Sequence, residues 1–345
     1  MRVLVTGGCG FIGSHVVEFY ARDKRNQILV LDNLWRARLL GKKRSQSLNS
    51  DFLRQFRNVR IVKGDVRRLA DVEAVMKGVD FLAHTAAQVT VTKSVTDPLS
   101  DFGENAIGTF NVLEVARRQK KPPTIVYCST NKVYGERVNT VPLIEKKMRY
   151  EFGGKYRRGI PEDFGVDLCE HSPYGCSKLT GDLYAQDFAH LYGMKIGVFR
   201  MSCIYGTRQF GMEDQGWLAW FAIAALRGQT INIYGDGKQM RDVLYVTDLV
   251  RAYDAFRRSS LNHAVFNMGG GPANTLSLRE LVAMLEKMAG KKLKLRFARP
   301  RPSDQKVYVS DIRKAQRLLR FRPVVSPREG VQRLFHWLRD HLDAV

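Results

Sequence analysis

Short, mostly apolar runs alternate with helix-like segments through the first half of the chain. The runs occupy residues 3–5, 28–31, 60–62, 81–84 and 124–127, and the helix-like segments occupy 11–21, 71–76 and 105–118. Strands that are apolar along their whole length are typical of a parallel sheet that helices cover on both faces. The alternation therefore predicts an α/β fold built on a doubly wound parallel sheet.

Two segments interrupt this alternation. Residues 37–58 are basic and polar with little periodicity, and residues 141–172 contain glycine and proline but no clear helix or strand pattern. Segments of such length often act as lids or binding loops, although a solvated insertion is an equally good interpretation. Neither segment is assigned a regular element from its sequence.

Shorter elements, separated by glycine, proline and aromatic residues, follow from residue 205 onward. This change predicts a cofactor domain over residues 1–204, with a contribution from about 236–268, and a smaller substrate-binding lobe formed mainly by 205–345. The longest apolar stretch, residues 216–226, is too short to cross a bilayer and is expected to form a buried helix. No membrane association is expected.

Charge adds one constraint on partners. The chain has 56 Lys and Arg residues against 34 Asp and Glu, a formal net charge of +22. Such a field favours anionic partners, but the basic residues are spread along the chain rather than clustered. A solvated basic surface accounts for most of the charge, and no nucleic-acid partner is expected.

The cysteines and the first residues bear on the compartment. Five cysteines are present, an odd number, with wide spacing and no Cys-x-x-Cys pair, so neither a disulfide framework nor a zinc site is indicated. We expect no metal. A reducing, cytoplasmic environment fits this cysteine usage best. No signal peptide is expected, because the first strand leads straight into a glycine-rich loop.

That loop, residues 6–13 with the sequence TGGCGFIG, is the strongest local motif. It follows a predicted strand and opens a predicted helix. Gly7 permits the tight turn, Gly10 lets the backbone approach a pyrophosphate, and Gly13 allows close packing of helix on strand. The helix N-terminus then attracts phosphates. The pattern predicts a dinucleotide site on a Rossmann-type sheet.

Acidic residues after the second and third strands bear on the choice of dinucleotide. A carboxylate at Asp32 can bind the hydroxyls of the adenosine ribose and repel a 2′-phosphate, which favours NAD over NADP. Arg36 and Arg38 lie close by in the sequence and support the opposite choice. Asp65 suits a contact with adenine, and a simple turn carboxylate is the alternative interpretation.

Candidate catalytic residues lie on two further segments. Tyr174 and Lys178 are spaced Tyr-x-x-x-Lys, which puts phenol and ammonium on one helical face. A neighbouring cation is expected to lower the pKa of the tyrosine toward neutrality, so that the phenolate removes a proton from a sugar hydroxyl. Thr130 is expected to hydrogen-bond the reacting oxygen. Asn105 would line the same cleft, although a helix cap is at least as good an interpretation.

Taken together, these motifs resemble the NAD-dependent epimerase/dehydratase family, of the extended short-chain dehydrogenase/reductase type, across nearly the whole chain. The resemblance implies a Rossmann fold, bound NAD and a nucleotide-sugar substrate. The residues expected at the cofactor are Gly7, Gly10, Phe11, Ile12, Gly13, Asp32, Asn33, Arg36, Asp65, Val66, Ala86, Gln88, Asn105, Ser129, Tyr174 and Lys178.

Within the family, several less common segments are most similar to the CDP-hexose 2-epimerases. They are AQV at 87–89, STNKVYG at 129–135, HSPYGCSK at 171–178, RQF at 208–210, DQGW at 214–217, GKQ at 237–239 and SDQ at 303–305. This implies inversion of carbon 2, from CDP-paratose to CDP-tyvelose, with CDP-glucose as a slower substrate. It also implies a homodimer or a dimer of dimers, because helices at 105–118 and 179–192 pair across a dimer in relatives.

The resemblance also implies where the substrate diphosphate binds. Arg241 and Arg301 should meet the phosphates with bidentate donors, although an ordinary surface arginine is the alternative, more so for Arg301. Many members of the family place an asparagine where this chain has Cys203, and a thiol cannot supply an amide's two donors. Gln209 or Gln215 is expected to substitute.

Polar and aromatic residues are expected around the sugar and the base. Gln88, Asn131 and His171 are predicted to face the sugar, each with a role in satisfying the backbone as its alternative. Trp217 is a candidate platform for the nucleobase, and part of a buried core is the competing interpretation.

Three other functions compete with this one. The 4,6-dehydratases of the family follow the threonine with an aspartate and a glutamate, whereas this chain has Asn131 and Lys132, so dehydration is disfavoured. A UDP-sugar 4-epimerase, acting on UDP-glucuronate or UDP-galactose, would use the same catalytic residues. A non-catalytic NAD-binding or RNA-binding protein on this fold is disfavoured by the intact Thr130, Tyr174 and Lys178.

Overall fold

The computed structural model describes residues 1–34, 43–300 and 304–344, and for 43–47 and 344 only the backbone. Its strands are β1 (Arg2–Thr6), β2 (Gln27–Asp32), β3 (Val59–Lys63), β4 (Phe81–His84), β5 (Thr124–Thr130), β6 (Leu143–Glu145), β7 (Tyr150–Phe152), β8 (Ile196–Met201), β9 (Cys203–Tyr205), β10 (Ile231–Tyr234), β11 (Met240–Tyr245), β12 (His263–Met268), β13 (Thr275–Ser277), β14 (Leu295–Ala298) and β15 (Val307–Tyr308).

The α-helices within the described residues are α1 (Phe11–Ala21), α2 (Lys43–Arg54), α3 (Leu69–Met76), α4 (Val91–Thr96), α5 (Pro98–Phe102), α6 (Gly108–Arg117), α7 (Pro173–Tyr192), α8 (Trp217–Arg227), α9 (Val246–Arg258), α10 (Leu278–Ala289), α11 (Arg313–Leu319) and α12 (Pro327–Asp340). A π-helical turn, Gly103–Ile107, joins α5 to α6. Turns of 3-10 helix cover Asn131–Thr140, Gly154–Arg158 and Leu342–Ala344.

Seven parallel strands form the central sheet, in the order β12-β8-β5-β4-β1-β2-β3. The strand order reverses at β1, which pairs with β2 on one side and with β4 on the other. In a doubly wound sheet a crevice opens at this point, outside the carboxyl ends of the strands, and ligands bind there. The predicted doubly wound parallel sheet is confirmed.

Side chains of β1 alternate between two apolar layers, one on each face of the sheet. Val3 and Val5 pack with residues of α1 and α9, whereas Leu4 packs with residues of α3, α6 and α7. All three side chains are fully buried. Because successive residues of a strand point to opposite faces, a strand covered on both faces must be apolar throughout. This is the physical basis of the uninterrupted apolar runs.

The second half of the chain contributes to the central sheet and to smaller sheets. Strand β12 completes the central sheet, whereas β9, β11, β13 and β15 form a separate sheet and β10 pairs with β14. Helix α8 is buried among these elements, as its apolar sequence predicts. The division into two lobes near residue 204 stays a prediction. No helix in the described ranges is long and apolar enough to span a membrane.

Both irregular segments contain regular structure. Helix α2 lies in the basic 37–58 segment, and its Leu53 is fully buried beside α1. The 141–172 segment forms the hairpin β6–β7, and its Phe152 and Ile160 join a separate apolar cluster with Val307. The sequence missed these elements because one buried leucine and two three-residue strands give little periodicity. Part of the 141–172 segment is therefore packed against the rest of the protein, so the segment is not a simple solvated insertion.

Candidate active site

Glycine is required at two positions of the loop between β1 and α1. Gly7 has a φ of +70°, and a Cβ placed there would lie 2.7 Å from the backbone of Ala86. A Cβ on Gly13 would lie 2.2 Å from the carbonyl oxygen of Gly7. The amide of Gly10 donates to the same carbonyl at 3.0 Å, which closes the turn ahead of α1. The loop thus brings bare backbone and a helix N-terminus to the mouth of the crevice.

A cavity of about 210 Å³ occupies this crevice. Eleven of the predicted cofactor residues line it: Gly7, Gly10, Phe11, Ile12, Gly13, Asp32, Asn33, Asp65, Val66, Ala86 and Gln88. Lys93, Glu104 and Gln215 line it as well. A tight glycine loop, a helix N-terminus and a carboxylate on one cavity fit the pyrophosphate and adenosine ribose of a dinucleotide. Bound NAD supplies the hydride acceptor and a positively charged nicotinamide ring.

Backbone donors fix the carboxylate at the end of β2. Asp32 accepts hydrogen bonds from the amides of Leu34 at 2.8 Å and Cys9 at 2.9 Å. Burial raises the pKa of Asp32 above its usual value, and these two amides oppose the rise. An oriented carboxylate at the end of the second strand suits a ribose diol. Arg36 and Arg38, which bear on the choice between NAD and NADP, lie outside the described residues.

The acidic residue after β3 belongs to a small polar cluster. Asp65 pairs with Arg67, whose Nη2 lies 2.6 Å from a carboxylate oxygen, and it accepts a 3.2 Å hydrogen bond from Asn33. Burial raises the pKa of Asp65, but the hydrogen bonds from Arg67 and Asn33 outweigh burial and leave that pKa below its usual value. Asp65 is therefore a charged residue at the cavity wall, and its contact with adenine stays a prediction.

The three predicted catalytic residues come together at the carboxyl end of β5. Thr130 is its last residue; its hydroxyl donates to Asn131 at 3.4 Å and is near enough to Tyr174 to act on the pKa of that phenol. Helix α7 begins just before the tyrosine, with Ser172 as N-cap and Pro173 in the first turn. Lys178 follows one turn later, fully buried, with its Nζ 4.4 Å from the centre of the Tyr127 ring.

The pKa of the tyrosine differs from the expectation. Burial raises the pKa of Tyr174 to about 12; the hydrogen bond from Thr130 opposes this and the charge of Asp101 adds to it. Burial also lowers the pKa of Lys178 to about 8. The fall toward neutrality that the Tyr-x-x-x-Lys spacing predicts is therefore not seen in the chain by itself, where burial dominates the pKa of Tyr174.

Two predicted cofactor residues, Asn105 and Ser129, form their side-chain hydrogen bonds with other parts of the protein. The amide of Asn105 donates to Gln88, Asp101 and Ser177 and accepts from the backbone of Gln88. It is fully buried inside the π-helical turn, so it is neither a helix cap nor a side chain with a free polar atom for NAD. The hydroxyl of Ser129 donates to Asp182 at 2.5 Å. These hydrogen bonds favour structural roles for the two side chains, and their contacts with the cofactor stay predictions.

Charged residues collect on the substrate side of the catalytic hydroxyls. Arg241, on β11, donates to Asp304 at 2.9 Å. Lys132 lies two residues after Thr130, and its pKa is lowered by burial and then by the charge of Arg241. The cations Lys132 and Arg241 lie here with the carboxylates of Asp304 and Glu136, and a guanidinium such as that of Arg241 suits a diphosphate. Arg301 lies outside the described residues.

Cys203 is paired with the predicted nucleobase platform. The indole Nε1 of Trp217 donates to the sulfur of Cys203 at 3.4 Å. Its ring also packs edge-on against Phe221, with ring centres 5.9 Å apart. Trp217, the first residue of α8, is partly exposed and packs against the apolar cluster that contains the buried residues of that helix. The thiol therefore holds the indole in place, and direct contact of either residue with substrate stays a prediction.

The remaining predicted substrate residues are partly engaged by the protein. Gln88 donates to the carbonyl of Thr90 at 2.8 Å while also lining the cofactor cavity. Both ring nitrogens of His171 lie within 3.0 Å of backbone carbonyl oxygens, those of Cys169 and Val133. This favours the structural interpretation of His171 over a sugar contact.

Asn131 and Gln209 are both buried and differ in how far their polar atoms have protein partners. Asn131 donates to Gln305 at 3.4 Å, and Gln305 donates on to the carbonyl of Gly135 at 3.1 Å. Gln209 donates to the carbonyl of Ile204 at 3.3 Å, and its buried Oε1 has no hydrogen-bond partner among the described residues. Gln215, by contrast, lines the cofactor cavity.

Comparison with known proteins decides the family. A sequence model described as the NAD dependent epimerase/dehydratase family matches residues 3–269. The chain is also 37% identical over 98% of its length to CDP-paratose 2-epimerase of Salmonella typhi, covering 99% of that protein. The chain belongs to the NAD dependent epimerase/dehydratase family. The predictions of the enzyme class and of NAD as cofactor are confirmed at the level of this family.

Solved structures of the NAD dependent epimerase/dehydratase family share the fold along the whole chain. A UDP-glucose 4-epimerase from Thermotoga maritima, with UDP-glucose, is 30% identical with a TM-score of 0.80, covering 99% of this chain and 100% of that one. A UDP-glucuronic acid 4-epimerase from Bacillus cereus, with UDP-glucuronic acid and NAD, is 26% identical with a TM-score of 0.82, covering 99% of each chain.

Two site residues of this family member were missed by sequence reasoning. Asp101 accepts hydrogen bonds from Gln88, Asn105 and Ser177, and Gln305 connects Asn131 to the backbone of Gly135. Each lies outside the glycine, tyrosine and threonine motifs, so no local pattern identifies its role. In the described ranges, no three His, Cys, Asp or Glu side chains are grouped so that they could hold a metal ion.

Proposed function

We propose that the chain is a CDP-hexose 2-epimerase that converts CDP-paratose to CDP-tyvelose, with CDP-glucose to CDP-mannose as a slower reaction. The observation that carries this proposal is the 37% identity to CDP-paratose 2-epimerase over 98% of the chain. UDP-glucuronate 4-epimerase of Thermodesulfobacterium geofontis is similar at 29% identity. The higher identity favours the CDP-sugar and carbon 2.

The catalytic residues support transient oxidation of the sugar. Tyr174, with the hydroxyl of Thr130 close by, takes the proton of the sugar 2-hydroxyl as the hydrogen on carbon 2 leaves with its electron pair. The 2-keto sugar then presents its opposite face, the hydrogen returns there, and Tyr174 gives the proton back. Lys178, fully buried beside this pair, supplies a positive charge that favours the phenolate. The cofactor ends each cycle in its starting redox state.

The residues after Thr130 disfavour dehydration. Relatives that are dTDP-glucose 4,6-dehydratases are also similar to the chain, for example at 29% identity for that of Streptomyces niveus. An acid and a base are needed to remove water, but Asn131 is an amide engaged with Gln305 and Lys132 is a cation. Neither is a carboxyl group, so we place the chain among epimerases.

Three side chains are proposed to hold the nucleotide end of the substrate. Arg241 would meet the diphosphate once Asp304 releases it, and Trp217 offers an indole face held by Cys203. Arg301 is proposed as a second phosphate ligand. Gln215, at the cofactor cavity, and Gln209, with its free buried oxygen, are proposed polar contacts in place of the family's asparagine.

A UDP-sugar 4-epimerase is the second candidate. The solved UDP-glucose and UDP-glucuronic acid 4-epimerases cover the whole chain with TM-scores of 0.80 and 0.82. Those enzymes would need the same tyrosine and cofactor and differ in which hydroxyl meets Tyr174. The two candidates therefore differ in substrate and inverted carbon, not in chemistry.

The test is a matched panel of CDP- and UDP-sugars. The purified protein is incubated with CDP-paratose, CDP-glucose, UDP-glucose and UDP-glucuronate, and the products are separated and assigned by proton NMR. We expect inversion at carbon 2 of the CDP-sugars, fastest with CDP-paratose. Tyr174→Phe is the control for contaminating activity. Reaction of the UDP-sugars alone, with inversion at carbon 4, would replace the first candidate with the second.

We also propose that the protein is a homodimer or a dimer of dimers. Exposed apolar residues cluster on α5 to α7: Leu99, Phe102, Ile107, Phe110, Leu183, Tyr184, Leu191 and Tyr192. Phe110 and Tyr184 lie on different helices with ring centres 5.3 Å apart, so the surface is continuous. Large apolar surfaces on a protein mark interaction sites.

The five free cysteines support a cytoplasmic location.

A further inference from the structure

A buried carboxylate lies behind the catalytic residues. Asp101, on the short helix α5, is 1% exposed. One of its oxygens accepts from Gln88 at 2.9 Å and from Asn105 at 3.1 Å, and the other accepts from Ser177 at 2.5 Å. Three converging donors favour the ionised form of a carboxyl group. The hydrogen bonds hold this buried carboxylate in one position, and disrupting them would be costly in free energy.

The partners of Asp101 belong to three parts of the active site. Gln88 lines the cofactor cavity, and Ser177 immediately precedes Lys178 on α7. Asn105 lies in the π-helical turn, where Thr109 donates to its carbonyl oxygen at 2.5 Å. Single π-helical turns inside α-helices are often found at functional sites. This turn directs Asn105 inward, so that helix α5, helix α7 and the cavity wall are joined through one carboxylate.

The charge of Asp101 acts on both members of the catalytic pair. Four ionisable groups face it: Lys93 from α4, and Tyr174, Cys176 and Lys178 from α7. A negative charge disfavours the phenolate of Tyr174 and favours the ammonium of Lys178, so it raises the pKa of each. Burial raises the pKa of Asp101 itself, opposed by the hydrogen bonds from Ser177 and Gln88 and by the two lysines.

We propose that Asp101 is a positioning residue of the reaction, whose negative charge sets the pH dependence of proton transfer by Tyr174 beside Lys178. The proposal rests on the proposed function for the role of Tyr174. Its geometric basis is a carboxylate fixed by three hydrogen bonds, one of which comes from Ser177 on α7, the residue before Lys178. Asp101 touches neither reacting atoms nor cofactor cavity, so it acts through the other residues.

Asp101→Asn removes the charge and keeps the shape. In the NAD-loaded protein, we expect both limbs of the pH profile of kcat to move to lower pH, by on the order of one unit. Both limbs move in the same direction because the pKa of Tyr174 and the pKa of Lys178 both fall when the carboxylate is gone. The matched control is Asp97→Asn, the same change on the exposed N-cap of α5, which leaves the profile in place.

A spectroscopic measurement separates this proposal from the proposed function. The pKa of Tyr174 is read from the ultraviolet absorbance of tyrosinate, as the difference between the protein and its Tyr174→Phe variant, with and without Asp101→Asn. A lower tyrosinate midpoint supports the inference even if no tested sugar is epimerised. Asp101→Ser, which keeps a hydroxyl for Gln88, replaces Asp101→Asn should that variant not fold. Unmoved midpoints with a uniformly lower kcat would overturn the proposal and leave Asp101 a structural residue.

Discussion

Arg241 and Asp304 form an ion pair at the predicted diphosphate site, with Nη2 and Oδ1 2.9 Å apart. The arginine side chain is 14% exposed and the aspartate side chain 35% exposed. A substrate phosphate that binds this guanidinium through Nη2 would displace the carboxylate, which would then face the incoming negative charge. Asp304 is therefore expected to compete with the substrate at the predicted site, and the free energy of this competition would subtract from binding.

The first prediction follows from this competition. Asp304→Asn should bind CDP and the CDP-sugar several-fold more tightly, because partly exposed ion pairs contribute roughly 0.2–1 kcal/mol. Titration calorimetry with CDP at low and high salt measures the change. The control is Glu329→Gln, which removes the carboxylate of the exposed pair with Arg333. Weaker binding by Asp304→Asn would mean that Asp304 orients the arginine for the substrate instead of competing with it.

A second prediction concerns the glycine loop and the cofactor. Gly13→Ala places a methyl 2.2 Å from the carbonyl oxygen of Gly7, so the turn must open and the protein should lose bound dinucleotide. The control is Gly103→Ala, because Gly103 has a helical backbone and its Cβ would meet no atom closer than 3.5 Å. The nucleotide released on denaturation is identified by chromatography. We expect NAD from the protein and the control and little from Gly13→Ala; NADP would contradict the role given to Asp32.

The sequence predicted those features that depend on residues close together in the chain. The apolar β1 and the glycine loop identify the sheet and the cofactor crevice, because one strand and one turn carry the constraint. The network of Gln88, Asp101, Asn105 and Ser177 was not predicted, since the three segments that carry these residues meet only in the folded chain. The raised pKa of Tyr174 was missed for a related reason, because burial depends on tertiary packing that spacing does not record.

The third prediction concerns assembly. Phe110 is 39% exposed and Leu191 67% exposed on neighbouring helices of the proposed dimer surface. Phe110→Glu with Leu191→Glu should convert the dimer to monomer, because burying two carboxylates in an apolar interface costs several kcal/mol. Sedimentation velocity gives the mass. Val324→Glu, at an equally exposed valine away from these helices, is the control, and a wild-type protein that sediments as a monomer would contradict the proposal.

The fourth prediction concerns the catalytic hydroxyls. Tyr174→Phe removes the acid and base while leaving the ring, so turnover should fall by roughly 10²–10⁴-fold. Thr130→Val removes the hydroxyl that acts on the tyrosine and should cost less, because Tyr174 remains. Both variants should still release NAD on denaturation, since the glycine loop is unchanged. Near-normal turnover by Tyr174→Phe would exclude Tyr174 as the base.

The last prediction separates transient oxidation from the other routes to an inverted sugar. If Tyr174 takes only the hydroxyl proton, the hydrogen of the inverting carbon never mixes with water. Deprotonation next to a carbonyl would instead bring in solvent hydrogen at carbon 2, and a dehydratase would bring it in at carbon 6. The reaction is run to equilibrium in heavy water and the product is examined by mass spectrometry and proton NMR. We expect no stable deuterium at any ring carbon, and full retention of label from substrate deuterated at carbon 2. One deuterium per product at carbon 2 would show that the enzyme inverts that centre without oxidising it, even with Thr130, Tyr174 and Lys178 in place.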